Sequence, residues 1–314
     1  VYAVDSSSRG LQAPGAYALV SAVSISAWRP PLVYDNPPVY SYPWEPEEEP
    51  PAFAETIPGS RPQGYSPEAA LDEARVKQEN WALAALAEHL DNESIVLVDG
   101  PVFLIPSPHH LRQLPQAYRD NWLRLIEARA MAVRSLEDRG VPVIGVVKRI
   151  EHSRLIERTR ELLALASSCL GEEWTGPDSL ALDTLLRCTS RKPGRVYLTP
   201  RLQVHAEDVE GWSAGKIVEY MVLPRGRWQT SPARAYRLEY TERSLELLEE
   251  LGLQPHHVIA LDSLARGSLE PLTIAHSDRR AKNITRALSL HLYHELRAQG
   301  IPVSYSSIMQ MIIG

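Results

Sequence analysis

Val1-Tyr-Ala-Val-Asp5-Ser-Ser-Ser-Arg9-Gly10 carries apolar residues that alternate into a carboxylate, followed by three hydroxyl residues, an arginine and a glycine. The alternation predicts a strand that ends on Asp5. A strand end holds a carboxylate rigidly, and small neighbours leave room for a metal ion and a phosphate to approach. The same design recurs at Ile95-Val-Leu-Val-Asp99-Gly-Pro101, an apolar strand running into Asp-Gly. Two such strands side by side would let Asp5 and Asp99 share one divalent cation. Taken singly, each Asp also fits a turn that simply follows a strand.

The 314 residues are 44% hydrophobic, enough for a sizeable core and suited to one large domain or one with elaborations. With 23% charged residues and a formal net charge of -6, there is no global basic signature, so any contact with nucleic acid must come from a local cluster. Cys169 and Cys188 lack CxxC spacing, which argues against a zinc ribbon or a disulfide scaffold and makes a reducing, intracellular setting the default. No signal peptide and no apolar run of about 18 residues is present, so a soluble chain is expected. Val1 already lies in strand pattern, which suggests a segment upstream of it.

Residues 16–27 alternate as a second strand, antiparallel to the first after Pro14-Gly15. Residues 28–67 then differ: eleven prolines fall between Pro30 and Pro67, with Glu45, Glu47 to Glu49 and several aromatics, so neither a regular helix nor a central strand is expected. An extended partner-binding strap and a mobile insertion are both open readings. A helix over 67–90 buries Val76, Trp81, Leu83 and Ala84 and places Arg75 and Glu79 at i and i+4. A solvated pair is the ordinary meaning of that spacing, but the helix runs directly into the Asp99 strand and can aim Glu79 at the carboxylate-bearing strand ends. A long helix over 111–139, closed by Gly140, leads to the apolar strand 141–147, the pattern of a parallel crossover between layers of helices. Lys148 and Arg149 stand at that strand's C-terminal end, where open α/β sheets bind ligands.

Helices are further expected over 151–168, 178–188 and 242–252, and strands over 196–198, 216–223 and 233–240. Arg191, Lys192 and Arg195 form a basic cluster ahead of Tyr197, and Arg234, Tyr236 and Arg237 interleave cations and a ring as nucleic-acid grooves do. His256-His257 is read as extended chain, in which neighbours face opposite ways and cannot share a metal. His276 falls in the first turn of a long C-terminal helix reaching about Gln299, where the positive helix end favours a neutral, ligating imidazole. There is no GxxxxGK[ST], no GxGxxG after a strand and no HExxH, so nucleotide hydrolysis, dinucleotide redox chemistry and zinc proteolysis lose weight.

In order and spacing, Asp5-Ser-Ser-Ser-Arg, Arg75-x-x-x-Glu79, Val-Asp99-Gly-Pro, Val147-Lys148, Tyr236-Arg-Leu-Glu-Tyr and Ala275-His276 resemble the NurA nucleases over residues 1–290. The resemblance implies an α/β, RNase H-like fold with a mixed sheet flanked by helices, formed by residues 1–314 as a single nuclease domain carrying the Pro-rich 28–67 insertion. It implies a homodimeric, manganese-dependent deoxyribonuclease, Mg²⁺ being the substitute ion. Such an enzyme would act 5′-to-3′ on DNA ends and on single strands, with a HerA-type hexameric ATPase, in archaeal end resection and recombinational repair. A cytoplasmic, nucleoid-associated setting without a membrane follows. Carried over, Asp5, Glu79, Asp99 and His276 are the catalytic and metal-binding positions. Lys148, Arg149, Arg191, Lys192, Arg195 and Tyr197 are the DNA-binding candidates.

The chemistry agrees with that set. Phosphodiester hydrolysis by two ions about 3.5–4 Å apart needs hard oxygen ligands, and Mn²⁺ also accepts imidazole. Asp5 would bridge the ions, Glu79 and Asp99 would each complete one, and His276 would bind the second or orient the water. Two rivals stay open at this stage: a non-catalytic RNase H-like adaptor that docks DNA onto a motor ATPase, and a metal-dependent RNase.

Overall fold

The computed structural model describes residues 1–14, 16–29, 39–41, 52–58, 67–103, 116–150, 176–188, 196–205, 215–223, 234–264 and 271–304, with scattered positions between 156 and 168. A ten-stranded mixed sheet forms the centre. Its strands are β1 (Tyr2–Ala13), β2 (Ala16–Arg29), β3 (Val39–Ser41), β4 (Ala52–Pro58), β5 (Val96–Asp99), β6 (Val143–Val147), β7 (Tyr197–Leu198), β8 (Leu202–His205), β9 (Gly215–Leu223) and β10 (Arg234–Tyr240). Around them lie α1 (Pro67–His89), α2 (Gln116–Asp138), α3 (Asp178–Cys188), α4 (Glu242–Glu250), α5 (Pro255–Leu264) and α6 (Leu272–Ala298). The main path runs β3-β2-β1-β5-β6-β10-β9-β7, with β4 on β2 and β8 on β9. The expected α/β class, a mixed sheet flanked by helices, is what the chain adopts.

The centre of the sheet is parallel. Val4 lies beside Val98, and Val98 beside Gly145, so β1, β5 and β6 run the same way. Both faces of this centre are covered, which is why its strands are almost wholly apolar. Val4, Val96 and Val98 face a core shared with Leu83 and Leu86 of α1 and Val133 and Leu136 of α2. Ala3, Leu97 and Ile144 face the opposite core with Leu238, Tyr240, Leu248 and Ile274. The period-2 alternation read from the sequence therefore becomes two hydrophobic layers.

Two glycines shape the chain before and within β6. Gly140 stops α2 with φ +80 and donates its N–H to Glu137 O at 2.9 Å. Gly145 on β6 lies under the chain that leaves β5, where an added Cβ would stand 2.4 Å from Val102 N and 2.8 Å from Gly100 O. Those neighbours are backbone atoms, so they cannot turn aside as a side chain could.

On the other side of β1, α6 packs against β1 and β2 with a stripe of small buried residues spaced four apart: Thr273, Ser277, Ala281, Thr285 and Ser289. Such a stripe lets the helix approach closely enough for hydroxyls to reach strand carbonyls. Thr285 Oγ1 donates to Ser7 O at 3.2 Å, and Ser277 Oγ donates to Ser24 O at 2.5 Å.

Several expectations change. Within 28–67, Val39–Ser41 and Ala52–Pro58 pair antiparallel with β2, so parts of the proline-rich segment extend the sheet at its edge, where proline is tolerated. Residues 255–264 are helical rather than extended: Pro255 starts α5, and a short apolar run cannot by periodicity alone tell helix from strand. His256 and His257 accordingly stack edge to face. Tyr236 is buried in the core and Arg237 Nε pairs with Glu239 Oε1 at 2.8 Å, so this stretch of β10 packs the sheet instead of forming an open groove of cations and rings. Most of the helix expected over 151–168, the Arg191, Lys192 and Arg195 cluster, and the tail from 305 onward lie outside the described residues.

Replacing Gly145 with Ala is expected to lower unfolding free energy by about 1–3 kcal/mol through overpacking against this backbone. The measurement is urea denaturation, and an unchanged midpoint would count against the close approach.

Candidate metal centre

Each acidic side chain reaches the site from a different element. Asp5 and Asp99 sit where the parallel pairing of β1 and β5 stops: because Val4 is level with Val98, the next residues, Asp5 and Asp99, stand beside one another across the strand gap, and β1 does not end at Asp5 as the alternation predicts but runs on to Ala13 paired with β2. Asp278 comes from the second turn of α6, the helix that covers that face of β1. Carboxylate oxygens of Asp5, Asp99 and Asp278 all lie within 4.8 Å of one another. They line one wall of a cleft of about 720 Å³, together with Ser6 to Ser8, Arg75, Gly100, Lys148, Arg149 and Lys282.

Most of the acids around this point have a cation of their own. Lys148 Nζ lies 2.6 Å from Asp99 Oδ2, and Lys282 Nζ lies 2.7 Å from Asp278 Oδ2. Glu79 on α1 approaches from the other face of β1. Its Oε1 accepts a hydrogen bond from Ser6 Oγ at 2.6 Å, and its Oε2 is held at 2.6 Å by Arg129, a guanidinium on α2 that is 1% exposed. Arg129 also donates from Nε to Asn80 Oδ1 at 2.5 Å. Arg75 Nη2 stands farther from Glu79 Oε1, at 4.0 Å, so the buried pair and not the i,i+4 pair sets that carboxylate's position.

Asp5 is the exception. Its Oδ1 accepts the Ser6 N–H at 2.7 Å, but its Oδ2 is buried without a hydrogen-bond partner. Burial first, then the negative charge of Asp99 and a proton that the two carboxyls can share, then the charges of Glu79 and Asp278, push the Asp5 carboxyl well above the usual carboxylate range. A nearly sealed carboxylate oxygen, faced by two more carboxylates, fits a hard divalent cation that takes oxygen ligands.

Of the residues singled out in the sequence, Asp5 and Asp99 come together, and Glu79 stands next to Asp5 in a separate buried ion pair. His276 lies on the same helix two residues before Asp278 and is not part of the trio. Asp278 was missed by the reading of the sequence. The signal was available in the spacing from the helix start: Ile274 faces the core, and Asp278 follows one turn later on the same face. Lys148 and Arg149 line the cleft. Tyr197 does not: β7 is separated from β1 by β5, β6, β10 and β9, a distance of about 24 Å at the spacing of neighbouring strands.

The electrostatics predict two outcomes. Because the folded-state Asp5 carboxyl holds its proton more tightly than the unfolded one, it contributes stability that is fully present below the unfolded value of 3.8 and lost as pH rises through the folded value. Asp5→Asn should therefore melt higher than the parent protein at neutral pH in EDTA, yet lose the further rise that added Mn²⁺ gives the parent; thermal melts with and without metal read both. Glu79→Ala should cost about 3–5 kcal/mol, because it leaves the Arg129 charge buried without its carboxylate. A loss below about 1 kcal/mol in urea melts would remove Arg129 from this account.

No helix among the described residues is long and apolar enough to cross a membrane. The family model for the NurA domain matches residues 1–283. The fold is similar to that of the NurA nuclease from Sulfolobus solfataricus, with 12% identity and a TM-score of 0.52, covering 95% of this chain and 84% of that one. Two further solved structures, of NurA with manganese and of NurA bound to dAMP and manganese, each share 12% identity. Their TM-scores are 0.46 and 0.40; the first alignment covers 92% of this chain and 87% of that chain, the second 88% and 83%. No curated protein sequence matches the chain. A match to the family model over 283 of its residues, on a fold shared with a solved member, places this chain in the NurA family.

Proposed function

We propose that the chain is a metal-dependent nuclease that hydrolyses phosphodiester bonds in DNA at the Asp5, Asp99 and Asp278 trio. The observation that carries this reading is the buried Asp5 Oδ2, without a hydrogen-bond partner among three mutually close carboxylates. Membership of the NurA family supports it. Asp5, Asp99 and Asp278 would hold a divalent ion, Mn²⁺ by the chemistry of the donors, with Mg²⁺ as the substitute. When bound, such an ion supplies charge neutralisation at the phosphate and a more acidic water. A two-ion arrangement would draw in Glu79, beside Asp5, and His276, one helix turn after Leu272.

The chain's own residues then have separable tasks. Asp5 presents a rigid, strand-held oxygen at the floor of the cleft, and Asp99 and Asp278 close in from either side. Arg129 and Ser6 orient the Glu79 carboxylate from behind. Lys148 and Arg149 sit on the wall where a phosphate would enter, and Lys148 can exchange Asp99 for a phosphate oxygen, since both are anionic acceptors. A nucleic acid reaches a chain of net charge -6 only through such local basic groups.

The finer reading follows the family: one nuclease domain over residues 1–314 with 28–67 as its insertion, RNase H-like and dimeric. It would cut 5′-to-3′ from ends and within single strands beside a HerA-type hexameric ATPase, in a cytoplasmic, nucleoid-associated setting. The cluster at Arg191, Lys192 and Arg195 and the ring of Tyr197 would guide DNA outside the cleft.

Fluorescent single-stranded DNA incubated with Mn²⁺ is expected to be degraded, and EDTA to stop it. Asp5→Asn and Asp278→Asn should each lose at least about a hundredfold in rate. Loss in Asp5→Asn with full activity in Asp278→Asn would return the third ligand to His276. Undiminished cleavage in Asp5→Asn would end the proposal.

A further inference from the structure

Two of the acids in the cleft are held by lysines that line it with them, Asp99 by Lys148 and Asp278 by Lys282. The two lysines differ in their room to move. The Lys148 side chain is 22% exposed and that of Lys282 57%. Lys282 stands one turn after Asp278 on α6, and long side chains on a helix lean towards its N-terminus, so the backbone itself aims the ammonium at Asp278 and the trio. Its Nζ donates to Asp278 Oδ2 at 2.7 Å.

An Asp and a Lys at i and i+4 are an ordinary surface pair on most helices. This carboxylate, however, also lies within 4.8 Å of the Asp5 and Asp99 oxygens, so a divalent cation and the ammonium compete for the same lone pairs. Two oxygens bound to one hard cation stand no more than about 5 Å apart, because each bond is about 2.0–2.6 Å long. A phosphate oxygen that shared an ion with Asp278 would therefore lie within a short swing of an ammonium that already touches this carboxylate. We propose that Lys282 exchanges partners when substrate binds: it neutralises Asp278 until that carboxylate takes a divalent ion, and it then grips a phosphate of the DNA strand lying in the cleft. The exchange couples ion and DNA, each raising the affinity of the other by the same factor. The inference rests on the nuclease reading, since it takes the trio as the ion site.

Lys282→Gln tests it. Arg279→Gln is the control, because Arg279 is exposed on α6 beside Asp278 and the change removes the same charge. Mn²⁺ binding is followed by the loss of the free ion's six-line electron paramagnetic resonance signal. Binding of fluorescein-labelled oligothymidylate is followed by anisotropy, in EDTA and in Ca²⁺, over a range of NaCl.

Without DNA, Lys282→Gln should bind Mn²⁺ about two- to fivefold more tightly, because a competing cation is gone. In Ca²⁺ the same variant should bind the oligonucleotide about three- to tenfold more weakly, with a plot of log affinity against log salt shallower by about 0.7 for one lost phosphate contact. In EDTA its affinity for DNA should stay close to the parent's, since the lysine is then engaged with Asp278. Arg279→Gln should show neither change. A Mn²⁺ affinity that does not rise, a Ca²⁺-dependent DNA affinity that does not fall, or a control that behaves as Lys282→Gln does would overturn the exchange, and cleavage by the parent protein would leave the nuclease reading standing. If the parent protein binds no Mn²⁺ and cleaves no DNA, the nuclease reading fails and the exchange fails with it.

Discussion

Mutual repulsion among carboxylates is the constraint around which this molecule is arranged. Asp5, Asp99 and Asp278 stand within 4.8 Å of one another, and Asp5 is 3% exposed, so water does little to screen the charges. A fold tolerates this only where neighbouring cations or a bound metal offset it. Lys148, Lys282 and Arg129 partner Asp99, Asp278 and Glu79, while the central carboxylate keeps an oxygen without a partner. The group without a cation of its own is therefore the buried Asp5 carboxyl, which keeps its proton well above the usual carboxylate range at the place where a divalent ion could take the proton's role.

Rigidity comes from how the acids are carried. Asp99 ends β5 and Asp5 lies within β1 just past their parallel pairing; the register of both strands is set by both hydrophobic layers, so neither can slip by a residue without turning an apolar face outward. The third rides on a helix seated by its stripe of small residues against β1 and β2. Gly145 allows the chain beyond Asp99 to fold down over β6. Loops would hold such repelling groups less firmly, since the energy gained by separating them would exceed the cost of a small backbone shift.

The overall negative charge is compatible with a polyanionic substrate because the cleft has a local composition of its own. Arg75, Lys148, Arg149 and Lys282 all line it. A cation at the acids would release Lys148 and Lys282 from Asp99 and Asp278, leaving both lysines to meet an anion in the cleft.

The sequence by itself determined the strands that carry Asp5 and Asp99, the helices of 67–90 and of the C-terminus, and the class of fold, because period-2 and helical patterns are local and strong; that β1 runs on past Asp5 to Ala13 depends on its pairing with β2. Order and spacing of short motifs were also enough to suggest the NurA family. It did not reveal Asp278, whose ligating role depends on α6 crossing β1 at one register, nor that Glu79 belongs to a buried pair with Arg129, fifty residues away in the chain. Short runs were misread for the same reason. Pro255–Leu264 became a helix, and parts of the proline-rich stretch became edge strands, because packing against neighbours decides between conformations of similar intrinsic energy. A linear chain shows which residues can bear charge; only the tertiary contacts decide which charges must face one another, because that choice depends on distances that no local pattern contains.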